Sequence, residues 1–292
     1  MPSLKEVRNR IVSVGSTMQI TSAMKMVSAA KLKRAQDAIT QMRPYAEKLS
    51  EILSNVSGSL DNSENAYSRN AGGKNILIIP ISSNRGLAGA FNSNIAKRTW
   101  NLIRNEYEGC NITVLPIGKK AVDAFKRTDY VISGQDLPSN LNELFDGLSY
   151  AKAAPIAEKI MIAFAAKQFD KVILVYNQFK NAAVQITQAE QFLPILPPAG
   201  SDKTSSTDYI YEPGMEFIVN DLVPRSLKTQ FYKALLDSTA SEHGARMTAM
   251  HKATDNAKEM LRDLKITYNK ARQASITKEI LEIVGGAEAL NG

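Results

Sequence analysis

The feature that most constrains this chain is a stretch near the C-terminus, from about Asn220 to Leu290, that is typical of one unbroken helix. It contains no proline after Pro224. Apolar or small residues recur along it at alternating steps of three and four, which is the heptad spacing of a coiled coil. At 1.5 Å per residue the helix would be on the order of 100 Å long, so a second helix must cover its seam. The seam positions are Met247, Met250, Thr254, Ala257, Leu261, Leu264, Tyr268 and Ala271.

Beyond Ser275 the seam changes register, and apolar residues spread around most of the helix circumference. A helix that is apolar on nearly all sides is normally buried in protein or lipid. This segment is too short to span a bilayer and carries Lys278, Glu279 and Glu282. We therefore expect the C-terminal tip to lie inside a sleeve of protein. The apolar positions of the tip are Ile276, Ile280, Leu281, Ile283, Val284, Ala287 and Leu290.

The first 60 residues supply the partner helix. Ser3 and Glu6 have the spacing of a capping box, and apolar residues then repeat at steps of three and four from Leu4 to Met18 and from Leu32 to Met42. Pro44 is expected to kink or end this helix.

Between those two segments the apolar pattern rotates around the helix. The heptad register passes through Thr21, Lys25 and Ser28, whereas a different stripe carries the apolar side chains. This rotation predicts a helix pair that is gripped from outside as well as by its own members. The outer stripe is formed by Ile20, Met24 and Val27.

The middle of the chain alternates strands and helices after a polar linker at 57–73. Alternation of this kind predicts a mainly parallel sheet with right-handed crossovers, and two strands joined at Lys180-Asn181 predict an antiparallel hairpin at one edge. An exposed loop is expected at 197–214. The predicted strands are 75–82, 112–117, 130–133, 171–179 and 183–189, and the predicted helices are 88–107, 119–127 and 141–169.

Together these patterns predict an α/β domain inserted between two long helices that pair antiparallel. The expected segments are an N-terminal coiled-coil helix at 1–60, a globular domain at 75–200 and a C-terminal coiled-coil helix at 214–292.

The basic residues concentrate in the terminal helices. The chain has a formal charge of +7, of which residues 1–50 contribute +6 and residues 225–292 contribute +3, so the middle is slightly acidic. This distribution suggests an acidic partner for the helices, such as nucleic acid, anionic lipid or an acidic protein surface. A solvated helix face is the alternative, and charge alone does not separate the two.

The residue types that usually carry chemistry do not form an active site in this sequence. The segment from Ser82 to Asn92 follows a strand and opens a helix, where backbone amides can bind phosphate, but it lacks a Walker or dinucleotide fingerprint and a structural turn is favoured. Cys110 is the only cysteine and is expected to be a buried, inert thiol. His243 and His251 lie eight residues apart without a ligand set, so we expect neither a metal nor a cofactor.

The sequence resembles the gamma subunits, or central shafts, of rotary F-type ATP synthases. The segment ITKEILEIVGGAEA, from Ile276 to Ala289, fits the signature I-T-x-E-x-x-[DE]-x-x-x-G-A-x-[SAKR] of that family at every specified position. Three further segments resemble its terminal helices: 20–36, 240–257 and 269–277. The loop after the first strand departs from the family, which commonly has Ser-Asp-Arg-Gly-Leu, because Asn84 replaces the acid here.

The resemblance implies a Rossmann-like inserted domain and a non-catalytic role as the rotor of a proton-translocating ATP synthase. In that family the coiled coil enters a ring of three alpha and three beta subunits, and its rotation changes the nucleotide affinity of each beta subunit. The C-terminal tip turns in an apolar bearing. The expected partners are therefore alpha, beta, epsilon and the membrane ring of c subunits, at the cytoplasmic face of a bacterial inner membrane.

The resemblance also assigns roles to individual residues. Met24, Lys25 and Arg85 are expected to face the acidic lever of beta, and Arg272 and Gln273 to form a hydrogen-bonding catch. The resemblance further implies that Glu242 and Arg246 are polar residues of the C-terminal helix near the catch. It also implies a foot that meets the c-ring beside epsilon, formed by Tyr209, Tyr211 and Glu212.

Two interpretations from other classes of protein remain. A nucleic-acid-binding coiled-coil arm would use the same basic helices for phosphates and would bind with strong salt dependence, but the basic cluster lacks interleaved aromatic residues. An α/β enzyme with a helical appendage would need a catalytic constellation that the sequence does not offer.

Overall fold

The computed structural model describes residues 3–57, 67, 69, 72–131, 137–138, 141–195 and 215–291. Within the helices, the side chains at positions 43, 47, 50–57, 215–220 and 288–291 fall outside that description. Two compact units divide the chain: the first joins Met1–Ser28 to Met247–Gly292, and the second is Ala29–Arg246. The expected three-segment division at 1–60, 75–200 and 214–292 stays a prediction.

Helix α1 spans Leu4–Ser57. The Ser3 hydroxyl accepts a hydrogen bond of 3.2 Å from the Glu6 amide, which confirms that half of the predicted capping box. The helix does not end at Pro44, which lies inside it. A proline removes one backbone hydrogen bond, and the helix continues past it with buried residues on either side, Ala35 and Leu49.

Helix α5 spans Met215–Asn291 and includes Pro224, so the prediction of one long C-terminal helix is confirmed. Between Thr254 and Ala271 only the predicted seam positions are shielded from solvent, and all the residues between them are exposed. The heptad spacing therefore identified the buried face of this helix residue by residue. None of the helices in the described part of the chain has an apolar stretch long enough to cross a bilayer.

In the first unit, α1 and α5 form an antiparallel pair. The unit takes α1 before residue 29 and α5 after residue 246, and Thr21 and Thr254 meet seven residues inside each limit. Their hydroxyl oxygens are 2.9 Å apart, and both residues are buried. The chain of α1 runs towards the boundary of this unit, whereas the chain of α5 runs away from it. The paired helices therefore have opposite directions, and the predicted antiparallel coiled coil is confirmed.

The described residues of the second unit form four strands: β1 Asn75–Pro80, β2 Asn111–Val114, β3 Lys171–Phe179 and β4 Gln185–Leu193. They make one sheet in the order β2-β1-β3-β4. Strand β1 pairs in parallel with both β2 and β3, and β4 pairs antiparallel with β3 at one edge. This is the mainly parallel sheet with an antiparallel edge that the sequence predicts.

Helices cover both faces of the sheet because β1 alternates its apolar side chains between them. Besides parts of α1 and α5, the described helices of this unit are α2 Phe91–Asn101, a π-helical turn Leu102–Glu106, α3 Lys119–Phe125, a 3-10 turn Leu141–Phe145 and α4 Tyr150–Ala165. Leu77 and Ile79 pack with α4 and the start of α5, whereas Ile76 and Ile78 pack with α2 and the turn that follows it.

The predicted helix over 141–169 is wrong as a single element. A 3-10 turn ends at Phe145, and α4 begins only at Tyr150. Gly147 between them has a φ of +77°, which no helix accommodates, and Ser149 is extended. The break therefore comes from backbone conformations that the apolar periodicity does not record.

Two strand predictions are also changed. The expected strand at 130–133 is reduced to a single bridge between Val131 and Val114 within the described residues. The predicted hairpin is present, but its loop runs over 180–184, because the Asn181 side chain accepts hydrogen bonds from the amides of Ala183 and Val184. The loop expected at 197–214 and most of the linker expected at 57–73 lie outside the described residues.

Candidate functional site

The segment Ser82–Asn92 continues β1 at its carboxyl end and is fixed there by buried hydrogen bonds. The Ser82 amide donates to the Ile117 carbonyl at 2.8 Å, and the Ser82 hydroxyl accepts from the Ala121 amide at 2.6 Å. Gly118 lies against this turn: a Cβ atom added to it would be 2.3 Å from the Ser82 carbonyl oxygen. The segment therefore begins from a rigid base.

The next residues close the turn on itself. The Ser83 amide donates to the Asn92 side chain at 3.0 Å, and the Ser83 hydroxyl lies 2.7 Å from the Arg85 carbonyl oxygen. Since the amides of Ser82 and Ser83 are occupied within the chain, the geometry favours the structural turn over a phosphate-binding loop.

Asn84 uses both ends of its amide group. Its nitrogen donates to the Asn142 carbonyl at 2.6 Å, and its oxygen accepts from the Lys119 amide at 3.1 Å. An ionised aspartate at this position could still accept from the Lys119 amide. Its other oxygen, however, would face the Asn142 carbonyl oxygen, and neither of these two atoms carries a proton to donate. The asparagine is therefore matched to its surroundings, at the position where the sequence departs from the family pattern.

Arg246 joins α5 to this turn. Its guanidinium donates to the Arg85 carbonyl at 3.1 Å and to the Gly86 carbonyl at 3.3 Å, and pairs with the Glu242 carboxylate one helical turn earlier at 2.6 Å. Arg246 and Glu242 are only 8% and 9% exposed, respectively. Both predicted site residues thus bind within this chain.

The electrostatics around this junction are dominated by burial. Burial raises the pKa of Glu242, and the Arg246 guanidinium opposes that rise. Burial, with Arg246 and Lys31 nearby, lowers the pKa of His243 to about 4. His243 is therefore neutral at physiological pH, and the formal charges at the junction are one carboxylate against the cations of Arg246, Lys31 and Arg85.

Arg85 and Lys31 are the exposed cations of this group. Both side chains face solvent, and both lie close enough to Glu242 to favour its charged form. Because the Arg246 charge is paired within the chain, the surface here has a net positive character. Such a surface is suited to acidic groups of a partner.

Met24 and Lys25 lie half-buried on α1 in the first unit. Next to them the apolar pattern is inverted. Thr21 and Ser28 are buried, while Ile20 and Val27 are 60% and 57% exposed. The helix pair therefore presents apolar side chains outwards, as expected of a pair that a partner also contacts.

Arg272 and Gln273 are exposed on α5, one turn before the C-terminal tip. The large apolar side chains of the tip that the structure describes are also solvent-exposed, by 47–71%. They are Ile276, Ile280, Leu281, Ile283 and Val284. Leu290 lies in α5, but its side chain is outside the described residues.

The predicted foot lies outside the described residues. It consists of Tyr209, Tyr211 and Glu212.

Three participants in the junction were missed by the sequence reasoning: Lys31, Gly86 and His243. Gly86 acts through its carbonyl, which has no signature in the sequence, and Lys31 is one of several similar lysines on α1. The sequence did contain a signal for His243. Glu242 and Arg246 have the i, i+4 spacing of a helical ion pair, and His243 lies between them in the sequence.

The chain is similar over its full length to known proteins of one family. A family model described as ATP synthase matches residues 3–290. The ATP synthase gamma chain of Christiangramia forsetii is 58% identical over 293 residues, covering 100% of both chains.

Solved structures give the same result at the level of the fold. A chain of the central stalk and c-ring structure of the Tetrahymena thermophila mitochondrial ATP synthase is 29% identical, with a TM-score of 0.57 over 80% of this chain and 99% of that one. A chain of the Euglena gracilis mitochondrial ATP synthase in rotational state 3 has a TM-score of 0.72 at 23% identity, over 98% of this chain and 94% of that one.

Proposed function

We propose a mechanism that proceeds from an established premise: this chain belongs to the ATP synthase gamma-chain family and is a rotor subunit of an F-type ATP synthase. In the proposed mechanism the paired helices enter a ring of three alpha and three beta subunits. Their rotation drives each beta subunit through states of different nucleotide affinity. The chain transmits torque between that ring and the membrane c-ring and is itself not catalytic.

The observation that carries this proposal is the exposed apolar tip of α5. Five large apolar side chains between Ile276 and Val284 face solvent in this chain. Exposure of that much apolar surface on one short segment is typical of a surface that a partner covers. The all-round distribution suits a bearing that holds the tip from every side at every angle, with Leu290 continuing it.

The non-catalytic role is supported by the use of the backbone amides in the Ser82–Asn92 segment. The amides at the start of the segment bind groups of this chain, and Asn84 is matched to carbonyl and amide partners. The chain therefore offers a rigid turn here rather than a nucleotide cradle.

Contacts with beta are proposed at two levels of the rotor. Met24, Lys25 and Arg85 face the acidic lever of beta, and the positive surface around Arg85 and Lys31 supports that pairing in sign. Arg272 and Gln273, both exposed, form a catch for carboxylates or loop carbonyls. Glu242 and Arg246 lie beside Arg85, at the first of these levels.

Contacts with the c-ring and epsilon are proposed for Tyr209, Tyr211 and Glu212. The complex would then hold this chain at the cytoplasmic face of the bacterial inner membrane, as a peripheral component coupled to proton flow. In that position it regulates both ATP hydrolysis and proton passage.

A reconstitution experiment tests the rotor role. The chain is co-expressed with alpha and beta, the complex is isolated by size-exclusion chromatography, and its ATPase activity is compared with that of alpha and beta alone. Co-elution with a large ATP-hydrolysing complex that depends on this chain is expected. A chain that elutes alone and leaves the ATPase activity unchanged would refute the rotor assignment.

The Arg272→Ala variant then addresses the catch, with the exposed Arg262→Ala on the same helix as its matched control. In membranes carrying the whole enzyme, Arg272→Ala should reduce ATP-driven proton pumping by about tenfold or more, because a charge-assisted hydrogen bond is worth roughly 1.5–3 kcal/mol. Arg262→Ala should pump normally. Normal pumping by both variants would count against the catch.

A further inference from the structure

The Arg246 side chain makes its hydrogen bonds to groups of this chain. Its Nη2 atom lies 3.1 Å from the carbonyl oxygen of Arg85 and 3.3 Å from that of Gly86, and its Nε atom lies 3.4 Å from the Gly86 oxygen. The Nη1 atom faces the Glu242 carboxylate at 2.6 Å. These contacts leave the guanidinium buried and bound to groups of this chain.

Arg85 has the opposite character. Its backbone carbonyl is bound by Arg246, whereas its side chain is exposed. Two residues after it, Leu87 has a φ of +62°, a left-handed conformation that is unfavourable for a branched residue and persists only when its surroundings hold it. The contacts from Arg246 fall on the two residues that precede this strained position.

The chemistry of arginine explains why this contact requires that residue. A planar guanidinium presents several donors in fixed directions and reaches two neighbouring carbonyls and a carboxylate at once. A lysine ammonium carries the same charge as a single point and does not reproduce this fork. Glu242 neutralises the buried cation, so the pair is retained inside the protein.

We propose that Arg246 is a positioning residue for Arg85: it anchors the backbone of the Arg85–Gly86 turn to α5, so that the Arg85 side chain is presented to an acidic surface of the beta subunit. This inference rests on the proposed contact between Arg85 and beta. Arg246 is then not itself a contact residue but holds Arg85, which is one. Glu242 is the counter-ion of Arg246.

The first test measures the turn in the full-length chain without its partners. Hydrogen–deuterium exchange is followed in the peptide covering residues 83–90 for the wild type, Arg246→Lys and Ser238→Ala. Ser238 is a matched control, since it is a buried residue of the same helix whose hydroxyl lies 3.3 Å from the Ile81 carbonyl. Arg246→Lys should raise exchange in this peptide by about tenfold, and Ser238→Ala should leave it near the wild-type rate.

The second test is a double-mutant cycle in the complex with alpha and beta. Arg85→Ala alone should lower the ATPase rate by about two- to fivefold at low salt, and less at high salt. In the Arg246→Lys background the same change should have little further effect, because an unpositioned Arg85 no longer makes its contact. In the Ser238→Ala background it should retain its full effect.

The outcomes separate the two claims. Unchanged exchange in Arg246→Lys, or effects of Arg85→Ala and Arg246→Lys that simply multiply, would overturn the positioning role while leaving the Arg85 contact in place. An Arg85→Ala variant as active as the wild type at every salt concentration would overturn the contact itself, and the positioning role with it.

Discussion

Gly118 has no room for a side chain. Its φ of +91° and ψ of 143° are accessible in practice only to glycine, and its Cα faces the Ser82 carbonyl at a distance that leaves no space for a Cβ atom. The turn that carries Arg85 begins at Ser82. The conformation of one glycine therefore supports the exposed cation proposed to meet beta.

Replacing Gly118 with alanine should cost about 3 kcal/mol or more of unfolding free energy, because both the backbone and the neighbouring carbonyl must shift. Gly109→Ala is the control. Its φ of +79° is also positive, but nothing lies within 4 Å of an added Cβ atom, so it should cost only about 1 kcal/mol. Urea denaturation followed by circular dichroism measures both. Equal, small losses would contradict the steric account.

His243 should make stability depend on pH. Its pKa falls from 6.5 to about 4 on folding, so between those values the unfolded chain binds a proton there that the folded chain does not. Stability is therefore kept above pH 6.5 and lost as pH falls towards 4, by about 2 kcal/mol after allowance for partial exposure.

The His243→Gln variant should flatten this decline, as measured by urea midpoints between pH 7 and pH 4. Glu242, whose raised pKa acts in the opposite direction, is present in both proteins, so its effect cancels in the comparison. The exposed His251→Gln serves as the control. A decline that is as steep in His243→Gln as in the wild type would show that another group is responsible.

At this scale the sequence predicts residue types better than their partners. The resemblance marked Arg246 and Glu242 as important, yet Arg246 donates to the backbone carbonyls of Arg85 and Gly86, about 160 residues earlier in the chain. Spacing along one helix carries no information about either.

The long helices show how far periodicity reaches. In α5 the three-and-four spacing located the shielded face correctly from Thr254 to Ala271, since a helix that buries one stripe must repeat it. It also predicted the change at Ser275, after which the apolar side chains with described positions are exposed. Periodicity failed between 141 and 169, where Gly147 and an extended Ser149 interrupt an otherwise continuous apolar pattern.

The seam itself can be tested with one pair of variants. Ala257 is 7% exposed in the first unit, and its neighbour Asn256 is exposed. Ala257→Asp would bury a charge against the facing helix and should destabilise the pair by about 2–4 kcal/mol, whereas Asn256→Asp should be nearly neutral. Limited proteolysis of the first unit reads the difference. Equal resistance of the two variants would contradict the seam.

At the scale of the whole molecule, the two compact units divide the tasks of a rotor. The first is a helix pair with outward apolar side chains and an exposed apolar tip. The second is a sheet with helices on both faces, into which α5 is anchored by Arg246 and by Gly244, where an added Cβ atom would lie 3.3 Å from Ala182. Rigid anchoring of that helix is what transmission of torque requires.

Observing rotation directly tests the central claim. The alpha–beta ring is fixed to a surface, and a bead is attached to the exposed position 108 of this chain through Glu108→Cys in a Cys110→Ala background. On addition of ATP, the account predicts that the bead turns in one direction with three pauses per revolution, one for each beta subunit. ATP hydrolysis that continues at the full rate in single, intact complexes while the bead stays at a fixed angle would contradict it.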